Sequence, residues 1–146
     1  MSAINIDFFT VNASPPLKNK KKIKNWIIRL IQQEKNKLAY INVTIIFCND
    51  QYLLELNEKF LKKDTLTDIL SFEYSENNSL EGDIYISIER IIENAEKFGQ
   101  TKENELLRIM AHGVLHLCGY KDKTKQDKKI MTERENFYLS ELKTVK

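Results

Sequence analysis

Apolar residues recur along the chain with two periods. Ile4, Ile6 and Phe8 alternate with polar neighbours, the period-two signature of a strand with one face buried. Behind the break at Pro15 and Pro16, Ile23, Trp26, Ile27, Leu30 and Ile31 fall at helical spacing. That spacing predicts an amphipathic helix over residues 17–37. The run Ile41-Asn42-Val43-Thr44-Ile45-Ile46-Phe47 is dense in β-branched side chains and predicts a strand over 40–48. Asn49-Asp50 can cap a short helix on which Leu53, Leu56, Asn57 and Phe60 share one side. Strands over 68–74 and 82–88 flank the polar loop 75–79 and read as a hairpin. Ser87 is a suitable N-cap for a helix striped by Ile88, Ile91, Ile92, Ala95 and Phe98 and stopped by Gly99. Thr101 opens a longer helix with Glu103 and Glu105 in its favoured first turn. A last helix spans 124–142, with Ile130, Phe137, Tyr138 and Leu142 predicted to face inward. The order βαβαββααα, without repeat or internal boundary, predicts a single α+β domain over residues 1–146. Its sheet is mixed and four-stranded, with flanking helices.

Composition narrows the class. The chain has 146 residues, 42% hydrophobic and 30% charged, enough for one domain with a core. Four glycines and two prolines leave little for linkers or disorder. A net charge of +2 does not by itself call for nucleic acid. Cys48 and Cys118 sit in apolar runs, where free cysteine behaves as a small hydrophobe, and nothing points to an oxidising compartment. Residues 1–16 lack a basic segment followed by an apolar one, so no signal peptide is expected. No apolar stretch is long enough to span a membrane. A soluble cytoplasmic protein with no membrane partner is the expectation.

Candidate chemistry concentrates in one stretch, His112-Gly113-Val114-Leu115-His116-Leu117-Cys118-Gly119-Tyr120-Lys121-Asp122. It contains both histidines of the chain, four residues apart, hence on one face of a helix. Two imidazoles so placed can grip one metal ion. The helix is otherwise apolar nearly all round, and buried imidazoles require partners; a metal is one such partner, satisfied core histidines the alternative. Gly119 ends the helix, and the turn delivers Asp122 as third ligand, with Asp127 its nearest rival. Three ligands leave a position open to water, the pattern of catalytic rather than structural sites, able to activate water or polarise an oxygen. Zinc is the expected ion, and a carboxylate ligand extends the choice to manganese or iron.

Peptidases with the His-Glu-x-x-His motif carry a glutamate beside the first histidine as base. Here that position is Gly113, so a metallopeptidase is disfavoured. Gly113 serves either close approach of substrate or tight helix packing. Arg108 and Glu105 precede His112 on the same stripe, to orient a ligand or meet an anion, or simply to pair with each other. Lysines cluster at Lys18, Lys20, Lys21, Lys22 and Lys24, at Lys59, Lys62 and Lys63, and at Lys121, Lys123, Lys125, Lys128 and Lys129. Each cluster is either solvated surface or a contact for a polyanionic backbone.

These residues resemble the motif His-Gly-x-Leu-His-Leu-x-Gly-Tyr-Asp-His of the YbeY family of bacterial endoribonucleases and rRNA maturation factors. Leu56-Asn57 with Phe60, then Asp64 and Thr67-Asp68-Ile69-Leu70-Ser71-Phe72, are similar to the family's second block, and Gly82-Asp83-Ile84 to its third. The resemblance implies a zinc-dependent, single-strand-specific endoribonuclease acting on rRNA precursor, notably the 3′ end of small-subunit rRNA. It also implies the small ribosomal subunit as partner. Two positions depart from the pattern. Asp122 stands where the family has its third histidine ligand. Leu61 stands where it has an arginine, which leaves open a maturation factor that binds RNA with little or no catalysis. Lys62, Lys63, Arg108 or Lys121 can replace the missing charge, although a lysine lacks the bidentate fork of arginine. Lys62, Lys63, Lys121 and Lys123 are the candidates for RNA phosphate contacts, and Arg108 is the candidate catalytic side chain.

Overall fold

In a computed structural model, which describes residues 3–61 and 67–144, the elements follow the expected order. They are β1 (Ala3–Thr10), α1 (Lys20–Glu34), β2 (Tyr40–Cys48), α2 (Asp50–Leu61), β3 (Ile69–Glu73) and β4 (Ser79–Ser87). Three helices close the chain: α3 (Ile88–Lys97), α4 (Lys102–Leu117) and α5 (Lys125–Thr144). The strands form one mixed sheet in the order β1-β2-β4-β3. β1 and β4 run parallel to β2, while β3 returns antiparallel beside β4. The fold is α+β, as the sequence predicts. Among the described residues no helix is long and apolar enough to cross a membrane.

The core lies between the sheet and the helices. Ile41, Val43, Ile45 and Phe47 of β2 and Ile84 and Ile86 of β4 meet Trp26, Ile27, Leu30 and Ile31 of α1 and Leu106, Met110, Val114 and Leu115 of α4. Each fully buried side chain of this kind contributes about 1.5–3 kcal/mol. Cys48 and Cys118 are free and buried, and burial pushes both thiols up to about 12.

Two glycines seat α4 on the β3–β4 hairpin. A Cβ on Gly113 would stand 2.9 Å from Ile69 Cδ1 and 3.0 Å from Ile84 Cγ2. A Cβ on Gly82 would meet Leu117 Cδ2 at 2.8 Å and the Phe72 carbonyl at 2.9 Å. Of the two roles open to Gly113, close packing is the one the fold uses. With that face of α4 against the sheet, Glu105, Arg108, His112 and His116 are left along another stripe.

The caps explain most element boundaries. Ser87 and Thr101 cap α3 and α4 as expected, their hydroxyls accepting from Arg90 N and Asn104 N. Asn19 adopts φ 53° and accepts from Lys22 N, so α1 starts at Lys20 and the predicted span of 17–37 is too long at both ends. β4 starts earlier than predicted, because Ser79 to Glu81 pair in parallel with Tyr40 to Asn42.

Four aromatic or aliphatic residues expected to face inward do not. Phe60, Phe98, Ile130 and Phe137 are exposed. Phe98 lies beyond the last turn of α3, with the Lys97 ammonium over its ring. Phe60 meets Phe72 edge-on at the rim. On α5 the inward stripe is Met131, Glu135, Tyr138 and Leu142. Ile130 and Phe137 are each one position off it. Polar partners, rather than hydrophobicity, fix that rotation. Tyr138 receives the Trp26 indole N–H on its carbonyl at 2.8 Å, and Glu135 is drawn in beneath α4.

Candidate metal centre

The stripe on α4 is wired together by carboxylates. Glu105, 1% exposed, holds Arg108 with two bonds, Nε to Oε1 at 3.1 Å and Nη2 to Oε2 at 2.8 Å. Arg108 Nη1 donates to Glu135 Oε1 at 3.1 Å. The other oxygen of Glu135, itself 2% exposed, lies 2.7 Å from His112 Nδ1. An ionised carboxylate only accepts, so His112 carries a proton on Nδ1, and in its neutral form presents a bare Nε2. Asp122 Oδ2 lies 3.6 Å from that Nε2. Burial draws the imidazolium of His112 down. Its hydrogen bond and charge pairing with Glu135, then the charges of Asp122 and Asp68, outweigh this and hold it above the ordinary histidine value.

His116, one turn further, is exposed. Its Nδ1 lies 3.1 Å from the Tyr120 carbonyl, which again only accepts, so here too Nε2 is left bare. Gly119, at φ +113°, makes the turn that brings this carbonyl back over the helix end. Both rings therefore offer a lone pair outward, each fixed from behind through its other nitrogen. Histidines that bind metal are oriented this way, by a carboxylate or a carbonyl on the second nitrogen.

Sequence candidates fall unequally around this pair. Asp122 faces His112, whereas Asp127 is occupied as a helix cap: its Oδ2 accepts from Thr124 N and its own N–H donates to Thr124 Oγ1. Lys121 and Lys123 are exposed on either side of Asp122. Arg108 is held by two carboxylates behind His112. Lys62, Lys63 and Asp64 lie outside the described residues, as does the side chain of Leu61. Among the described residues no three histidine, cysteine or carboxylate side chains stand close enough together to hold an ion. The donor set nevertheless fits one in kind: two bare imidazole nitrogens at helical spacing and a carboxylate beside the first.

Sequence reasoning missed Glu135, the partner of both Arg108 and His112. A signal existed. With Met131, Tyr138 and Leu142 it repeats at helical spacing, which places a carboxylate on the buried stripe of α5. Asp68, at the entry to β3, was likewise passed over as a source of field at His112.

Fold and site together define an α+β protein with two oriented histidines on a helix held against its sheet. The family described as Endoribonuclease YbeY matches residues 9–143. An Endoribonuclease YbeY of Flavobacterium psychrophilum is 51% identical over 112 residues, 77% of this chain and 79% of that protein. That of Cytophaga hutchinsonii is 42% identical over 136 residues, 92% of this chain and 94% of its own. A Thermotoga maritima protein solved in solution has the same fold, with TM-score 0.63 and 30% identity over 94% of this chain and 89% of that one. The chain belongs to the Endoribonuclease YbeY family.

Proposed function

We infer that this chain is an endoribonuclease of rRNA processing, cutting single-stranded RNA at the 3′ end of small-subunit rRNA with a divalent metal ion held by His112, His116 and Asp122. The reading rests on family membership and on one observation: His112 is anchored by Glu135 so that its free nitrogen faces Asp122. Zinc is the expected ion, and the carboxylate ligand also admits manganese or iron. A metal there supplies Lewis acidity and lowers the pKa of water.

The protein's own residues prepare that site. Glu135 keeps the Nδ1 proton of His112 in place, and Arg108 neutralises Glu135 from the far side. Gly113 offers no base and is turned toward Ile69 and Ile84, which argues against peptidase chemistry. Exposed Lys121 and Lys123 attract the phosphate backbone, with Lys62 and Lys63 adding charge from the segment after α2. The work is done in the cytoplasm on rRNA precursor, with the small ribosomal subunit as partner.

Cleavage of single-stranded and structured RNA by wild type and a His112→Ala, His116→Ala double variant tests the reading. Wild-type cleavage should stop with a chelator and return with zinc or manganese, and the double variant should cut nothing. RNA binding without cleavage in metal-loaded wild type would instead establish a non-catalytic maturation factor, the role that Leu61 in place of the family arginine favours.

A further inference from the structure

Tyr120 is engaged at three points. Its backbone N–H donates to the Leu115 carbonyl at 3.1 Å and closes α4. Its own carbonyl faces His116 Nδ1 at 3.1 Å. Its hydroxyl donates to Glu34 Oε1 at 2.7 Å. Glu34 is the last residue of α1, with a side chain 11% exposed. The same carboxylate accepts from Arg134 Nη2 at 2.8 Å and from the Tyr138 hydroxyl. Two donors from α5 therefore fix the carboxylate that fixes the ring of Tyr120.

Backbone bonds from the Cys118, Gly119 and Tyr120 N–H groups to the Val114, His116 and Leu115 carbonyls close the helix end. Gly119, at φ +113°, has nothing within 4 Å of where its Cβ would be, so beyond those bonds the turn packs on the fold through Tyr120. The half-buried Tyr120 ring packs against the core cluster, and its hydroxyl bond sets where that ring stops. We propose that Glu34 is a positioning residue. Acting through the Tyr120 hydroxyl, it sets the turn over residues 118–122, and with it the carbonyl that orients His116 and the approach of Asp122 to His112.

If Glu34 merely tied α1 to α5, the ring of His116 would not sense the Tyr120 hydroxyl. Nitrogen NMR of metal-free protein at alkaline pH, where both rings are neutral, separates the two. With only two histidines in the chain, the spectrum assigns itself from one single-histidine variant. Wild-type His116 should carry its proton on Nδ1. Tyr120→Phe, which leaves Glu34 with Arg134 and Tyr138, should shift His116 toward the Nε2-protonated form and leave His112 unchanged. Glu34→Ala should do the same, and Glu34→Gln, which retains an acceptor, should restore part of the wild-type pattern.

Zinc titration is the second readout and rests on the metal reading above. The zinc dissociation constant of Tyr120→Phe should rise about ten-fold, as for loss of other outer partners of metal ligands. Wild type that fails to bind zinc would defeat the metal reading alone, since the NMR pattern judges the role of Glu34 without metal. An unchanged His116 pattern in Tyr120→Phe overturns the proposal, even if Glu34→Ala proves unable to fold. So does an unchanged zinc affinity in that variant when wild type binds the ion.

Discussion

Asp122 and Gly82 show how much rests on single side chains. Asp122 reaches the bare nitrogen of His112, whereas Asp127 is engaged with Thr124. Asp122→Ala should therefore weaken zinc binding about as severely as His116→Ala, and Asp122→His should retain it. Equal zinc titrations for Asp122→Ala and wild type would remove Asp122 from the site. Gly82 has no such chemistry but seats the helix. A methyl there meets the flexible end of Leu117, which can yield, and the Phe72 carbonyl, which is backbone and cannot. Gly82→Ala should cost about 1–3 kcal/mol, the usual range for overpacking. The check is a lower urea midpoint at unchanged slope.

Helix α5 is the element that ties the site to the fold, and also the one least legible in the sequence. Its residues are mostly polar, and the neighbouring pairs Ile130/Met131 and Phe137/Tyr138 give hydrophobicity no reason to prefer one phase. The choice is made across space, by Glu135 under Arg108 and His112 and by Tyr138 against Glu34. None of those partners is near in sequence. By contrast, α3 and α4 were readable because their caps and apolar stripes are local. The Glu34 cluster also leaves a pH signature. Burial raises the carboxylate's affinity for protons, but bonds from Tyr138, Tyr120 and Arg134, with the Arg134 charge, outweigh it and hold Glu34 below its ordinary value of 4.5. A carboxylate lowered in the folded state stabilises above its unfolded value, and the contribution is lost as pH falls through the folded one. The stability gap between wild type and Glu34→Gln should thus be full at neutral pH and close progressively below pH 4.5. Urea denaturation across that range measures it, and a gap independent of pH would contradict the lowered value.

At the scale of the whole molecule, a net charge of +2 gives little general attraction for RNA, so contacts with phosphate must be local. Each lysine that touches phosphate adds about 0.7 to the salt slope of single-strand binding. Replacing Lys121 and Lys123 with glutamine should flatten that slope by about 1–1.5 and weaken binding evenly across sequences. An unchanged slope would make both lysines ordinary solvated surface. The same view shows why the histidine pair and Asp122 could be read from the chain while their supports could not. These three side chains sit within eleven contiguous residues, but what aims them comes from α1 and α5.

That division has a consequence in time. A chain made from its amino end presents α4, with both imidazoles, before the residues of α5 exist. Until Arg134, Glu135 and Tyr138 have emerged and docked, His112 lacks its carboxylate and Glu34 lacks the donors that steady Tyr120. Helix α5, made after α4, is thus the one that orients the histidines, and a growing polypeptide carries them unaimed until α5 has emerged and docked.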